Sequence, residues 1–194
     1  MAKKVFINYR REDTQSEADL LDDFLTPNLG RSNVFIDIDR IGYGDNFVQA
    51  LEEAIASVDF FLVLIGPRWE EFIRKKADAH KPDYVLKEID QALELGKTVI
   101  PVLTPGAKWP DFGAFSTVPY GERLVFLKKA HTLEVVRKYR KEAYQDLLNR
   151  MQGELNPEDM GTPDSGMMDG ESFEQLMQRQ EELSHKKQPK EAYK

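Results

Sequence analysis

Five short apolar runs punctuate the chain between segments in which apolar positions recur every three or four residues. They are Lys4 to Asn8 (KVFIN), Asn33 to Ile36 (NVFI), Phe60 to Ile65 (FFLVLI), Thr98 to Leu103 (TVIPVL) and Leu124 to Leu127 (LVFL). Rich in Val, Ile and Phe, these runs predict β-strands. The third is apolar throughout, as a strand buried on both faces must be. Pro101 removes one donor from the fourth, which is therefore expected near an edge of the sheet or bulged there. Helical spacing covers Gln15 to Leu25, Phe47 to Ser57, Tyr84 to Leu95 and Thr132 to Met151. In the second, Phe47, Leu51, Ala54 and Ile55 share one stripe behind Asp45-Asn46 as cap candidates, and the third stops at Leu95-Gly96. Strands alternating with helices predict an α/β fold, a parallel sheet of five strands with helices on both faces. Open sheets of this kind gather ligands where strands hand over to helices, which singles out three loops: Tyr9 to Thr14, Asp37 to Asn46 and Gly66 to Asp83.

The pattern dissolves from Gln152 onward, where Gly153, Asn156-Pro157, Gly161, Pro163, Gly166 and Gly170 interrupt any long element. Of the 194 residues, 1–151 are expected to form one domain and 152–194 an acidic linker or tail, with room for one short helix at 171–184. The chain carries 27 Lys and Arg against 34 Asp and Glu, a net charge of −7, and the tail's ten acids against five bases account for most of it. A nearly neutral body without a long basic run speaks against nucleic acid or a membrane surface as a partner. With no cysteine, thiol nucleophiles and thiolate metal sites are excluded, and His80, His131 and His185 are too scattered for a metal motif. No signal peptide or membrane span is apparent, so the expected location is cytoplasmic. Gly96-Lys97-Thr98 is no phosphate loop, because the required earlier glycine is Gln91 and Gly96 closes a helix. A phosphorylated receiver of similar architecture is excluded by Arg10-Arg11 and Gly66-Pro67-Arg68, which stand where it needs acids.

One acid is out of place. At about 100 degrees per residue, with Val85 at zero, Ala92 falls near 340, Ile89 near 40, Leu93 near 80 and Leu86 near 100. Lys87, Asp90 and Glu94 gather on the opposite face, whereas Glu88 falls near 300, between Leu95 and Ala92 and within the apolar stripe. A carboxylate so placed either marks a site or is a structural acid whose head reaches water or an arginine. Tyr9-Arg10-Arg11, at the end of the first strand, offers one arginine for an anionic ligand or for Glu88 and one for solvent or a cap. The loop from Asp37 to Phe47 brings Gly42 and Gly44 around Tyr43, which permits close backbone approach or simply a flexible connection.

Four blocks resemble, in order, the signature boxes of Toll/interleukin-1 receptor (TIR) domains. They are Val5-Phe6-Ile7-Asn8-Tyr9-Arg10-Arg11; Val34-Phe35-Ile36-Asp37 leading to Ile41-Gly42-Tyr43-Gly44 and Phe47; Leu62-Val63-Leu64-Ile65-Gly66-Pro67-Arg68-Trp69; and Asp83-Tyr84-Val85-Leu86-Lys87-Glu88-Ile89, continued by Gly96-Lys97 and Val99 to Leu103. The resemblance is to the bacterial, NAD-cleaving type. It implies a flavodoxin-like sheet and a catalytic glutamate at Glu88 that breaks the nicotinamide–ribose bond of NAD+. It further implies a substrate pocket lined by Tyr9, Arg10, Arg11, Asp37, Ile41, Gly42, Gly44, Phe47 and Tyr84. Tyr84 stands where many members have tryptophan. NAD+ would be the substrate, with no further cofactor and no metal. Other TIR domains are the expected partners, in a homo-oligomer or filament built through the loop 37–47, with a separate sensor protein or a sensor domain elsewhere. The setting implied is a bacterial immune or cell-death pathway. A non-enzymatic TIR adaptor acting through the same surfaces is the alternative, and a nucleoside deoxyribosyltransferase-like enzyme a third reading. An acid on an apolar stripe favours the enzyme, since an adaptor has no use for it.

Overall fold

The computed structural model describes residues 3–36 and 45–153, without the side chains of 45–49. The strands are β1 (Val5–Asn8), β2 (Val34–Phe35), β3 (Phe60–Ile65), β4 (Thr98–Leu103) and β5 (Leu133–Glu134). All pairings are parallel and the order is β2-β1-β3-β4-β5. The helices are α1 (Arg11–Leu29), α2 (Asp45–Ser57), α3 (Trp69–Asp78), α4 (Tyr84–Glu94) and α5 (Arg140–Gln152). This is the flavodoxin-like α/β architecture, whose order changes direction between β1 and β3 and leaves a crevice at the carboxyl ends of those strands.

Alternation along the central strands divides the core in two. Val5 and Ile7 of β1, with Leu62 and Leu64 of β3, pack against Leu21 and Leu25 of α1 and Leu147 and Leu148 of α5. Phe6, Phe61, Val63 and Ile65 face the other way, toward Ile55 of α2, Trp69 and Ile73 of α3, and Leu86 and Ile89 of α4. β3 is central and buried on both faces, as its uninterrupted apolar run requires. Burying one such side chain contributes about 1.5–3 kcal/mol, so two filled layers anchor the strand ends that carry the site.

β1 and β2 start and stop within a residue of the predicted positions, and β3 and β4 match them at both ends. The fifth does not. Leu124 to Leu127 lies in a 3₁₀ segment, Glu122–Lys129, in which Leu124 and Leu127 are fully buried three residues apart. The edge strand is Leu133–Glu134 instead, followed by buried Val135. The helix expected from Thr132 accordingly begins only at Arg140. The segment after Gly66, expected as a loop, contains α3, with Trp69, Phe72 and Ile73 buried, Glu70 and Glu71 in its first turn and Lys75 and Lys76 in its last. Regular geometry in α1 is interrupted at Thr14, so its main body runs from Gln15 as predicted; it continues past Pro27 to buried Leu29.

Pro101 occupies the place its chemistry demands. Thr104 N–H donates to Ile65 O, and Leu103 O accepts from Val135 N–H, so odd-numbered residues of β4 turn their backbone groups away from β3. Pro101 shares that outward side, and β5 pairs only with Val102 and Leu103. The described residues belong to one unit, Met1–Leu155. The tail and its helix at 171–184 lie outside the described residues, as do Asp37, Ile41, Gly42, Tyr43 and Gly44. Among the described residues no helix is long and apolar enough to cross a membrane.

Candidate active site

The two-residue period of β1 carries on into the turn that follows it. Asn8 lies in register with Val63, on the side of the sheet facing α4. Its Nδ2 donates to Glu88 Oε2 at 2.7 Å and to Val85 O at 3.3 Å. Arg10 points to the same side. Its guanidinium reaches Asp83 with two bonds, Nη1 to Oδ1 at 3.1 Å and Nη2 to Oδ2 at 2.8 Å, and lies 5.5 Å from the centre of the Trp69 ring. Asp83 is the N-cap of α4 and accepts from Leu86 N–H at 3.4 Å. Arg10 and Asp83 are 2% and 4% exposed, so this is a buried bidentate pair that locks the start of α4 to the end of β1. Among the described residues Arg10 Nε is buried without a hydrogen-bond partner.

Glu88 sits one turn into α4 and is half-buried. The apolar stripe is narrower than the helical arithmetic predicts: Leu86, Ile89 and Ala92 are buried, but Leu95 is 46% exposed, which leaves Glu88 on the margin. The Asn8 amide is a polar group that meets it there. Tyr84 opens the helix, is 56% exposed and lies four residues before Glu88, on the same side of α4. Arg11 is exposed at the start of α1. The predicted pocket therefore divides. Tyr9 packs with Ala18 and Leu21 in the layer on the far side of the sheet, away from Glu88. Arg10 is engaged by Asp83 and not by Glu88. Asp37, Ile41, Gly42 and Gly44 lie outside the described residues, and so does the side chain of Phe47, whose backbone is in the first turn of α2.

Asn8 and Asp83 are the site residues that sequence reasoning missed. Asn8 reads as the polar end of an apolar run, and only the fold shows that its partner is 80 positions away. The signal for Asp83 was its place as a capping residue before a helix-period segment.

A second carboxylate lies at the same edge. Asp13 Oδ1 accepts from Arg68 N–H at 3.1 Å, which ties α1 to the turn after β3. Gly66 makes room for this contact, since a Cβ there would collide with the Asp13 carboxyl and with Thr14 Cγ2 at 2.6 Å. Desolvation by burial raises the Asp13 pKa, opposed by the Arg68 hydrogen bond and the Arg10 and Arg68 charges. A carboxyl whose pKa is raised by folding binds its proton more tightly in the native state, so its contribution to stability falls as pH rises through the folded pKa. Asp13→Asn keeps the acceptor for Arg68 and is expected to melt no lower than the parent at pH 7, with the difference between the two drifting in the parent's favour toward pH 4. A loss of several degrees at pH 7 would show instead that the Asp13 charge stabilises the turn.

Among the described residues no group of three or more His, Asp or Glu is arranged to hold a metal. What the edge of the sheet offers is a partly desolvated carboxylate, held by an amide, beside an exposed tyrosine and at the crevice where such sheets bind ligands.

Comparison with known proteins agrees with the architecture. The family model described as TIR domain matches residues 5–146. The NAD(+) hydrolase tir-1 of Caenorhabditis elegans is 28% identical over 152 residues, which are 78% of this chain but only 15% of the relative's length. Among solved structures, the TIR domains of the activated Roq1 resistosome recognising the pathogen effector XopQ superpose with a TM-score of 0.54 at 16% identity, covering 77% of this chain and 99% of that one. The Clostridium botulinum CMP N-glycosidase BcmB gives 0.45 at 16% identity, covering 76% and 99%. With the matched region spanning the whole sheet from β1 into α5, the chain belongs to the TIR domain family.

Proposed function

We propose that this chain cleaves the nicotinamide–ribose bond of NAD+, with Glu88 as the catalytic carboxylate. The observation that carries the reading is the Asn8–Glu88 contact, a carboxylate held at the crevice by a buried amide. Similarity to an NAD(+) hydrolase supports the choice of substrate. Nicotinamide leaves NAD+ as a neutral molecule, taking the electron pair of the C1′–N bond and leaving positive charge on the ribose. The group needed is therefore a fixed negative charge that also accepts hydrogen bonds from the ribose hydroxyls, and an ionised Glu88 supplies both. Water adding to C1′ gives ADP-ribose and a proton; attack by an adenine nitrogen of the same molecule gives a cyclic isomer. Tyr84 offers an aromatic face beside Glu88 for a planar substrate group. In this reading the 37–47 segment joins neighbouring TIR domains and the assembled form is the active one, in a bacterial defence or cell-death pathway.

The test is nicotinamide release from NAD+ by the purified protein over a range of concentrations, with Glu88→Gln beside it and the products separated by chromatography. The expected result is Glu88-dependent release whose specific rate climbs with protein concentration, and the second product tells hydrolase from cyclase. Absence of release even in concentrated, crowded samples would favour the adaptor.

A further inference from the structure

Asn8 touches Glu88 but takes no part in the bond-breaking steps just described. It is 1% exposed. Its Nδ2 lies within hydrogen-bond distance of both Val85 O and Glu88 Oε2, while its Oδ1 is buried with no partner among the described residues. A backbone carbonyl only accepts, so the amide nitrogen must face Val85; turned over, the amide would set two acceptors against each other. The group presented to Glu88 is therefore a donor fixed by the helix backbone, in a partly dry place where hydrogen bonds to a charge are strong. An unpaired buried acceptor is costly, and plain strand packing would be served better by an apolar side chain of similar size.

We propose that Asn8 is a positioning residue: its amide holds the Glu88 carboxylate in the orientation, and in the hydrogen-bond-accepting state, that bond cleavage uses. The kinetic consequence rests on the NAD+ reading above; the contact itself does not. Asn8→Thr and Asn8→Val are nearly the same shape, both suit a central strand, and they differ in one hydroxyl donor. The expected result is a kcat for the valine variant about tenfold or more below that of the threonine variant, the span of a hydrogen bond to a charged group. KM should differ by less than about twofold, because the contact acts on the transition state more than on substrate binding. Thermal stability should run the other way, with the valine variant melting at or above the threonine variant, so that activity and stability cross. Equal kcat values, or kcat following the melting temperature, would overturn the proposal. Should the valine variant not fold, Asn8→Ser against Asn8→Ala puts the same question with smaller side chains. A urea double-mutant cycle of Asn8→Val with Glu88→Ala reads the contact without substrate: non-additive midpoints are expected, and additive ones would overturn the inference even if NAD+ proves not to be the substrate. An inactive parent with non-additive midpoints would instead remove the NAD+ reading and leave the Asn8–Glu88 contact standing.

Discussion

Asp83→Ala should lower the melting temperature by about 10 °C or more. The substitution leaves the Arg10 guanidinium, 2% exposed, without its counter-ion and removes the cap of α4 in the same step. Breaking a buried pair by deleting one partner costs about 3–5 kcal/mol, because the remaining charge has neither water nor a partner. At about 2–4 °C per kcal/mol for a domain of this size, the loss is read directly in a thermal scan. Lys76 Nζ, 3.9 Å from Asp83 Oδ1, adds a minor share. Replacing both partners, Arg10→Met with Asp83→Leu, should regain most of the loss, since a buried ion pair exchanged for packed apolar groups is often neutral. A single replacement that melts within about 3 °C of the parent would mean that water reaches the pair. Because Asp83 starts the helix that carries Glu88, turnover should suffer in the single variant even at temperatures where it remains folded.

Glu88→Gln should reduce NAD+ turnover by at least about 10²–10³-fold, the usual cost of removing one preorganised electrostatic group from a site. The fold should be unaffected. The amide oxygen still accepts from Asn8 Nδ2, the position lies at the margin of the apolar stripe, and a change away from core features usually stays within about 0.5 kcal/mol. Turnover and thermal scans on one preparation separate the cases. Undiminished turnover would remove Glu88 from the chemistry, and a collapse of the melting temperature would make it a structural acid.

Much of this was legible beforehand, and the failures have physical causes. β3 could be read because six apolar residues in a row leave a strand no polar face. Glu88 stood out because helical periodicity makes a misplaced charge visible within a dozen residues. The run Leu124 to Leu127 has no such redundancy: four apolar residues suit a strand or a tight helical turn equally, and the choice fell to burial of Leu124 and Leu127 on one side of a 3₁₀ segment. α3 was hidden by its charge, since three buried residues among Glu, Arg and Lys look like a solvated stretch when Gly66-Pro67 precedes them. The Arg10–Asp83 and Asn8–Glu88 contacts span 73 and 80 positions, and no local rule reaches that far. Sequence spacing singled out Glu88 and Arg10; only the fold shows that Asn8 and Asp83 are their partners.

The alternation that sends Asn8 and Arg10 to one side of the sheet and Tyr9 to the other also governs which changes in chain length the site can survive. Deleting a single residue within β1 would exchange the two sides. An aromatic ring would then arrive against α4, and both the amide for Glu88 and the cation for Asp83 would be buried among leucines. No compensating substitution near Glu88 restores them, because the fault is one of parity. The stretch from Ala79 to Pro82, between α3 and α4, is exposed on the surface and joins two helices whose places are set by their own buried faces. Ala79, His80 and Lys81 bond back to the end of α3, so residues added after Lys81 should leave both helices in place. Inserted tags and grafted loops therefore have an open position ahead of α4 and a closed one in the first strand.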